Sequence, residues 1–473
     1  MAKYEIPERK NMNPWDLSAN LKDVILDILY LSSFILIGTI LRRYIKFFQT
    51  YLIPNNFIAG IIALAVGSQG LGWVYLDPDR LILYVYHFLA LTFIALGLRK
   101  SKSHWGRGPF NKSMSALFSY LLQATVGLGV ALALYHTFMP DIFPGIGLVI
   151  PLGFGMGPGL AATLAGSWEQ YGFAGGAQVG LTFATIGYAY AFFAGIALIH
   201  WGIKNGKTSV IKDIRHLTHE IRIGVQKRGN LPSAGNLTLY TEAIEPLAFH
   251  LAAVGVIYLI TYLIVSKLTG VMVSVGLGEF VPTVWSFHFV IGLLLSLFIR
   301  KIMDWTDKSY LIDHGLMTRG IGLFLDYLVV GAIAGISFTI ISRYWIPILI
   351  MSLIAGPATF IMLYYLCYRS FIDHHFERFI ELFGEMTGTI NSALVLLRIT
   401  DPEFDTPVAE DAVVGSGISL FMGFPLLYAL NIPFVHFNNS IKGYWITLGV
   451  IVGYWMLLAM IWYWTGYFKI KKQ

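Results

Sequence analysis

Cysteine is almost missing from this chain. Cys367 is the only one in 473 residues, which excludes an intramolecular disulfide and a thiolate metal cage and leaves the side chain to packing. Charge is scarce as well, at 13% of residues, too little to cover the surface of a soluble protein of this length. No long polar stretch is available for a separate soluble domain. There is no HExxH, no pair of aspartates on facing apolar segments, and no GxGxxG behind a strand, so an enzyme, a resident cofactor and a dinucleotide site are not expected. Residues 1–22 carry Glu5, Glu8, Arg9 and Lys10 and lack the apolar core of a cleavable signal, so 1–23 reads as a polar or interfacial tail.

Apolar residues fill the space left. The chain is 56% hydrophobic and 15% aromatic, with a mean hydropathy of +0.65, so lipid is its main solvent. About 20 apolar residues span a bilayer as a helix, and runs of that kind recur between Pro, Gly and charged punctuation. In the first half they lie near 24–43, 55–68, 81–98, 113–138 and 174–201. After a polar connector at 202–246 they return near 247–266, 284–300, 320–341, 345–367 and 408–430, followed by one more span at 443–466. Two further segments, 143–167 and 378–398, are apolar but interrupted, and read as re-entrant hairpins.

The net charge of +6 is better explained by orientation than by nucleic acid, because cytoplasmic loops accumulate Lys and Arg. With both interrupted segments returning to the side they came from, 25 of the 33 basic residues fall on one side, among them Arg42, Arg43, Lys112, Arg319 and the cluster from Lys204 to Arg228. That side is read as inside, which puts the N-terminus outside and the C-terminus inside. Making one interrupted segment a full span would invert every later loop and spoil the bias. The pattern therefore fits two hairpins or none.

Each half then holds five spans with a hairpin between the fourth and fifth. Five is odd, so the second copy sits upside down relative to the first. The expected architecture is an all-α polytopic membrane protein of two inverted five-helix repeats, 24–201 and 247–430, with an additional C-terminal helix, a plan widely used by secondary transporters. The stretches FLALTFIALG at 88–97 and FLDYLVVGAIAG at 324–335 echo one another faintly.

The interrupted segments carry the candidate chemistry. The first offers Gly153, Gly155, Gly157, Pro158, Gly159 and Thr163. Alternating glycines let backbone amides approach an anion, and the helix that follows adds the positive end of its dipole. Close helix packing through small residues is the competing explanation. The second offers Glu385, Thr387, Gly388, Thr389, Asn391 and Ser392, whose oxygens suit a hard cation such as Na⁺ or a polar substrate; Thr387, Thr389 and Asn391 are the candidate Na⁺ ligands. Glu385 is a candidate for ion coupling, unless it lies solvated at an interface. Asp326 is another, since an ionisable residue inside a span is a functional candidate by default, although Arg319 is near enough for both to sit at the inner interface. Glu410 and Asp411 open a helix and suit its N-terminus. His87, His250 and His288 read as packing groups, and His374 and His375 lack metal-ligand spacing.

At these residues the chain resembles the bacterial sodium:glutamate symporters. The matching stretches are Tyr51-Leu-Ile-Pro54-Asn-Asn-Phe-Ile-Ala59-Gly60, Thr92 to Leu98, and Gly153 to Gly187 with Tyr171-Gly172-Phe173 and Ala184-Thr185-Ile186-Gly187. They cover most of the first half; the second half is only loosely similar. The resemblance implies Na⁺-coupled uptake of an acidic amino acid such as glutamate, or of a related carboxylate, by a homodimer in a bacterial inner membrane, with a transport domain moving against a scaffold. Two departures stand out. Gly153-Phe-Gly-Met-Gly-Pro158 replaces a Gly-Gly-His-Gly-Thr-Gly type of signature, and Gly388-Thr-Ile-Asn-Ser-Ala393 replaces Gly-Ala-Thr-Pro-Thr-Ala. The extra C-terminal span is a third. Scaffold and transport mode carry over better than the substrate does. A transporter-derived sensor, or a proton-coupled transporter of another small polar metabolite, is the alternative.

Overall fold

The computed structural model describes residues 21–99, 106–211, 223–225, 233–278, 281–401 and 405–468. Residues 212–222 and 226–232 of the connector, and residues 1–20 of the N-terminal tail, lie outside these. Fourteen helices organise the described chain: α1 (Leu21–Tyr44), α2 (Asn55–Val66), α3 (Pro78–Leu98), α4 (Arg107–Thr137), α5 (Pro158–Ser167), α6 (Gly176–Lys204, with a π turn at Tyr190–Ala194), α7 (Pro246–Ser274), α8 (His288–Trp305), α9 (His314–Ala334), α10 (Phe338–Ser370), α11 (His375–Met386), α12 (Ile390–Thr400), α13 (Val408–Val435) and α14 (Ile441–Trp464). Nine of them are long and apolar enough to cross a membrane, and the chain is a multi-pass membrane protein.

Local chemistry sets the helix starts. Asp77 accepts from the amide of Asp79 ahead of Pro78, Glu245 accepts from Ala248 ahead of Pro246, and Asp313 accepts from Leu316. Each leaves one fewer first-turn N–H unsatisfied, and the prolines stand where no donor is needed. Within the helices, buried hydroxyls such as Ser115, Ser119 and Thr359 donate to the carbonyl four residues back, which keeps them satisfied where no water is at hand.

The two segments expected as the second span of each half differ from the rest. α2 has 12 residues, about 18 Å of helix against a hydrocarbon core of about 30 Å. α8 has 18 residues but ends in Arg300, Lys301 and Asp304. Conversely, α10 runs for 33 residues straight through Pro347 and Pro357, longer than its apolar pattern indicated; packed neighbours make internal prolines tolerable in membrane helices.

The heaviest packing falls into two bundles. In the first, α3 packs on α9 and α8, α9 on α2, α2 on α1, and α7 on α8. In the second, α4 packs on α13, α10 and α14, while α5 lies on α6 and α11 on α12 and α10. Glycines let the first bundle close tightly: a Cβ on Gly97 would fall on the Ser296 hydroxyl, and one on Gly292 would lie 2.8 Å from Ile94. Buried charge is paired in this bundle, with the Arg80 guanidinium donating to Asp27, which also accepts the Tyr84 hydroxyl at 2.9 Å. The bundles meet along a seam where α5 touches α3 and α9, and α6 touches α9.

Candidate functional site

Three prolines break the first interrupted segment. Pro144 and Pro151 each open a single irregular turn, Pro144–Leu148 and Pro151–Gly155, and Pro158 opens α5. Proline supplies no amide to the turn before it, so the helical path from Pro144 to Gly155 is irregular, 3-10 at its start and π at its end, and it stops before Gly157. Gly157 joins the last two at φ +88° and ψ 169°, a backbone state that is essentially glycine's alone. The other glycines have a packing role. A Cβ on Gly153 would lie 2.6 Å from that of Phe183, one on Gly155 would lie 2.5 Å from the Tyr120 ring, and one on Gly159 would lie 2.6 Å from Leu89. Thr163 is buried in α5, its hydroxyl without a hydrogen-bond partner among the described residues.

The second segment is an antiparallel pair, α11 and α12, joined at Thr387, Gly388 and Thr389. Thr387 is buried and donates to the Phe383 carbonyl at 2.7 Å, while Gly388 sits tightly over buried Ser392. Thr389 is half-buried and Asn391 is exposed. Buried Gln123 on α4 holds this turn in place, donating to the Met386 carbonyl at 2.9 Å and to Thr359 at 3.1 Å. The absence of a side chain on Gly187 admits the Thr387 carbonyl from the other side.

The two turns meet. A Cβ on Gly157 would touch the Thr389 methyl at 3.4 Å, so the N-termini of α5 and α12 converge from segments more than 200 residues apart in the chain. Tyr188 on α6 lies near Thr389 and within the electrostatic reach of Asp326. Asp326, half-buried on α9, accepts from the Asn56 amide at 2.9 Å. Leu328, two residues on, packs beside Gly159. Gly157, Thr389, Tyr188, Asp326 and Asn56 therefore gather at the seam between the bundles. Unsatisfied amides at two helix N-termini favour an anion, and the Asp326 carboxylate favours a cation beside it.

Glu385 faces elsewhere. Its carboxylate lies 2.5 Å from the Lys112 ammonium and accepts the Ser416 hydroxyl at 2.7 Å, and Lys112 also donates to Ser416. Lys112, which reads as a loop cation in the sequence, is buried in α4. Asp411 pairs with Arg378 at 2.7 Å instead of serving only its own helix start. The histidines pack as their settings suggest: His87 shares a hydrogen bond with Tyr258, His288 stacks on Tyr86, and His250 accepts the Asp313 amide.

Sequence reasoning passed over Asn56, Gln123 and Tyr188. Asn56 carried a signal, a polar amide inside the apolar run 55–66. Gln123 and Tyr188 carried none beyond ordinary span composition. A cavity of about 590 Å³ lies away from the seam, lined by Tyr135, Asp141, Arg343, Tyr344 and Asn439, and shares no residue with it. Comparison with protein-family models, with curated proteins and with solved structures finds no match to this chain.

Proposed function

We propose that this protein is a secondary active transporter that takes up a small carboxylate, or an acidic amino acid such as glutamate, together with a cation, Na⁺ in the first instance, by alternating access. The observation that carries the reading is the meeting of two broken segments, Gly157 against Thr389, at a seam between two bundles. Substrate held there is reached from either side once one bundle shifts against the other. The paired N-termini serve the carboxylate, and Asp326 with the Thr389 hydroxyl serves the cation.

Reciprocal packing supports an inverted repeat. α3, third in its half, packs on α8, second in the other; α9, third in its half, packs on α2, second in the other. The same exchange relates α4 with α13 and α10 with α6. The one-sided distribution of Lys and Arg supports the reading with both interrupted segments re-entrant and the C-terminus inside.

The test is uptake by the full-length protein in lipid vesicles, using labelled L-glutamate, L-aspartate and C4 dicarboxylates under an imposed Na⁺ gradient. Accumulation that collapses with the gradient is expected. Failure of every compound to accumulate or to show counterflow would remove the transporter reading.

A further inference from the structure

Along α11, Glu377, Glu381 and Glu385 recur at four-residue spacing and so stack on one helix face. All three are buried, Glu381 at 1% exposure. Like charges at this spacing repel even on an open helix surface, and burial leaves little solvent to screen the repulsion. Glu377 accepts the Ser209 amide at 2.6 Å. Glu385 has Lys112 and Ser416. Among the described residues Glu381 has no cation in contact, and one of its oxygens is without a hydrogen-bond partner there.

Several of the elements packed on α11 bring charged or titratable groups towards Glu381. Lys112 and Tyr120 on α4 and Cys367 on α10 lie within its electrostatic reach, and Arg378 and Glu385 lie on its own helix. α13 presents Ser416 to Glu385 and Asp411 to Arg378. α6 and α12 contribute Gly202 and Leu396 to the packing of α11, neither of them charged. Arg378 is already engaged by Asp373 at 2.9 Å and Asp411 at 2.7 Å, which leaves the single Lys112 ammonium to two buried carboxyl groups. Four residues apart on one buried helix face, those groups are direct neighbours. Two carboxylates have no donor between them; one proton supplies it.

We infer that Glu381 and Glu385 hold one exchangeable proton between them beside Lys112. With the proton bound, one carboxylic acid donates to one carboxylate, and that carboxylate is neutralised by the ammonium. On release, the O–H bond breaks heterolytically, the proton passes to water, and the second carboxylate shares Lys112. Asp411 and then Asp373, whose side chain is 43% exposed, extend the carboxylates towards the surface. Assigning this proton to coupling rests on the transporter reading; its presence does not.

The experiment is infrared spectroscopy of the full-length protein in vesicles of phosphatidylcholine and phosphatidylglycerol, titrated with alkali in sodium and in choline chloride. A protonated-carboxyl stretch at neutral pH is expected in the wild type, fading as pH rises, identical in both salts and lost in E381Q. Its absence from the wild type, its persistence unchanged in E381Q, or its disappearance when sodium replaces choline would overturn the inference, the last by making the site a metal-cation site. Should E381Q fail to fold, E381D keeps the carboxyl and is expected to shift the band and its titration; an unshifted band overturns the assignment. Counterflow of labelled glutamate or dicarboxylate, measured on the same vesicles, reports separately. A titrating band without counterflow removes the transporter reading alone, whereas pH-independent counterflow without a band removes the proton alone.

Discussion

The two interrupted segments meet at their turns but are built on opposite principles. The first is backbone and small residues: its glycines admit Phe183, Tyr120 and Leu89, and among its side chains only Thr163 brings a buried hydroxyl. The second is an acidic helix sunk into the protein, its carboxylates met by Lys112 from α4 and by Ser416 from α13, with the turn tied down by Gln123. One segment is fixed by shape and the other by charge. Damage to each should therefore differ in size, larger on the charged side than on the glycine side.

The largest effect is expected from K112A, which strands buried carboxyl groups and should cost about 3–5 kcal/mol, read as a fall in thermal unfolding in detergent. Replacing both partners in K112M/E385M should recover more than half of that loss; a double variant as unstable as K112A would mean that the pair matters for more than its charge. On the glycine side, G153A forces a methyl into the Phe183 and Ala184 contact and should cost about 1–3 kcal/mol by the same measurement. G157A meets only ordinary contact with Thr389, yet its backbone sits where alanine is strained, by about 1–3 kcal/mol; equal stability to the wild type would contradict the irregular turn. Next come D326N and T389V at the seam. Each should lower uptake roughly tenfold, about 1.4 kcal/mol, while leaving unfolding within about 0.5 kcal/mol. The smallest change is expected from N391A, whose side chain is exposed: stability within about 0.5 kcal/mol and uptake much closer to wild type than that of T389V. An uptake defect as large as that of T389V would place Asn391 at the working site after all.

Much of this is legible in the sequence, for a physical reason. Membrane spans are written as length and hydropathy, so 24–43, 81–98 and 443–466 correspond closely to α1, α3 and α14. The interruptions are equally plain, because Gly157-Pro158 after Gly153 and Gly155 makes a poor helix and because Thr387-Gly388-Thr389 is polar in an apolar run. What pairing across the molecule decides is not written locally. The run FERFIELFGE at 376–385 has the pattern of a helix with one wet face, and it is distant segments, Lys112 on α4 and Ser416 on α13 among them, that turn that face into a buried one. For the same reason the packing role of Gly153 and the bridging role of Gln123 depend on partners that no local pattern names. α9 begins earlier than its apolar stretch, at His314, because Asp313 caps it there.

The central claim is that the seam beside Gly157 and Thr389 works by one bundle moving against the other. Gly159 and Leu89 face each other across that seam, with a Cβ on Gly159 lying 3.3 Å from that of Leu89, close to the spacing a disulfide requires. Gradient-driven accumulation should be measured in vesicles bearing L89C/G159C with Cys367 replaced by serine, before and after oxidation. The account predicts that oxidation arrests accumulation and that reduction restores it; a fully cross-linked protein that accumulates substrate at an undiminished rate would contradict it.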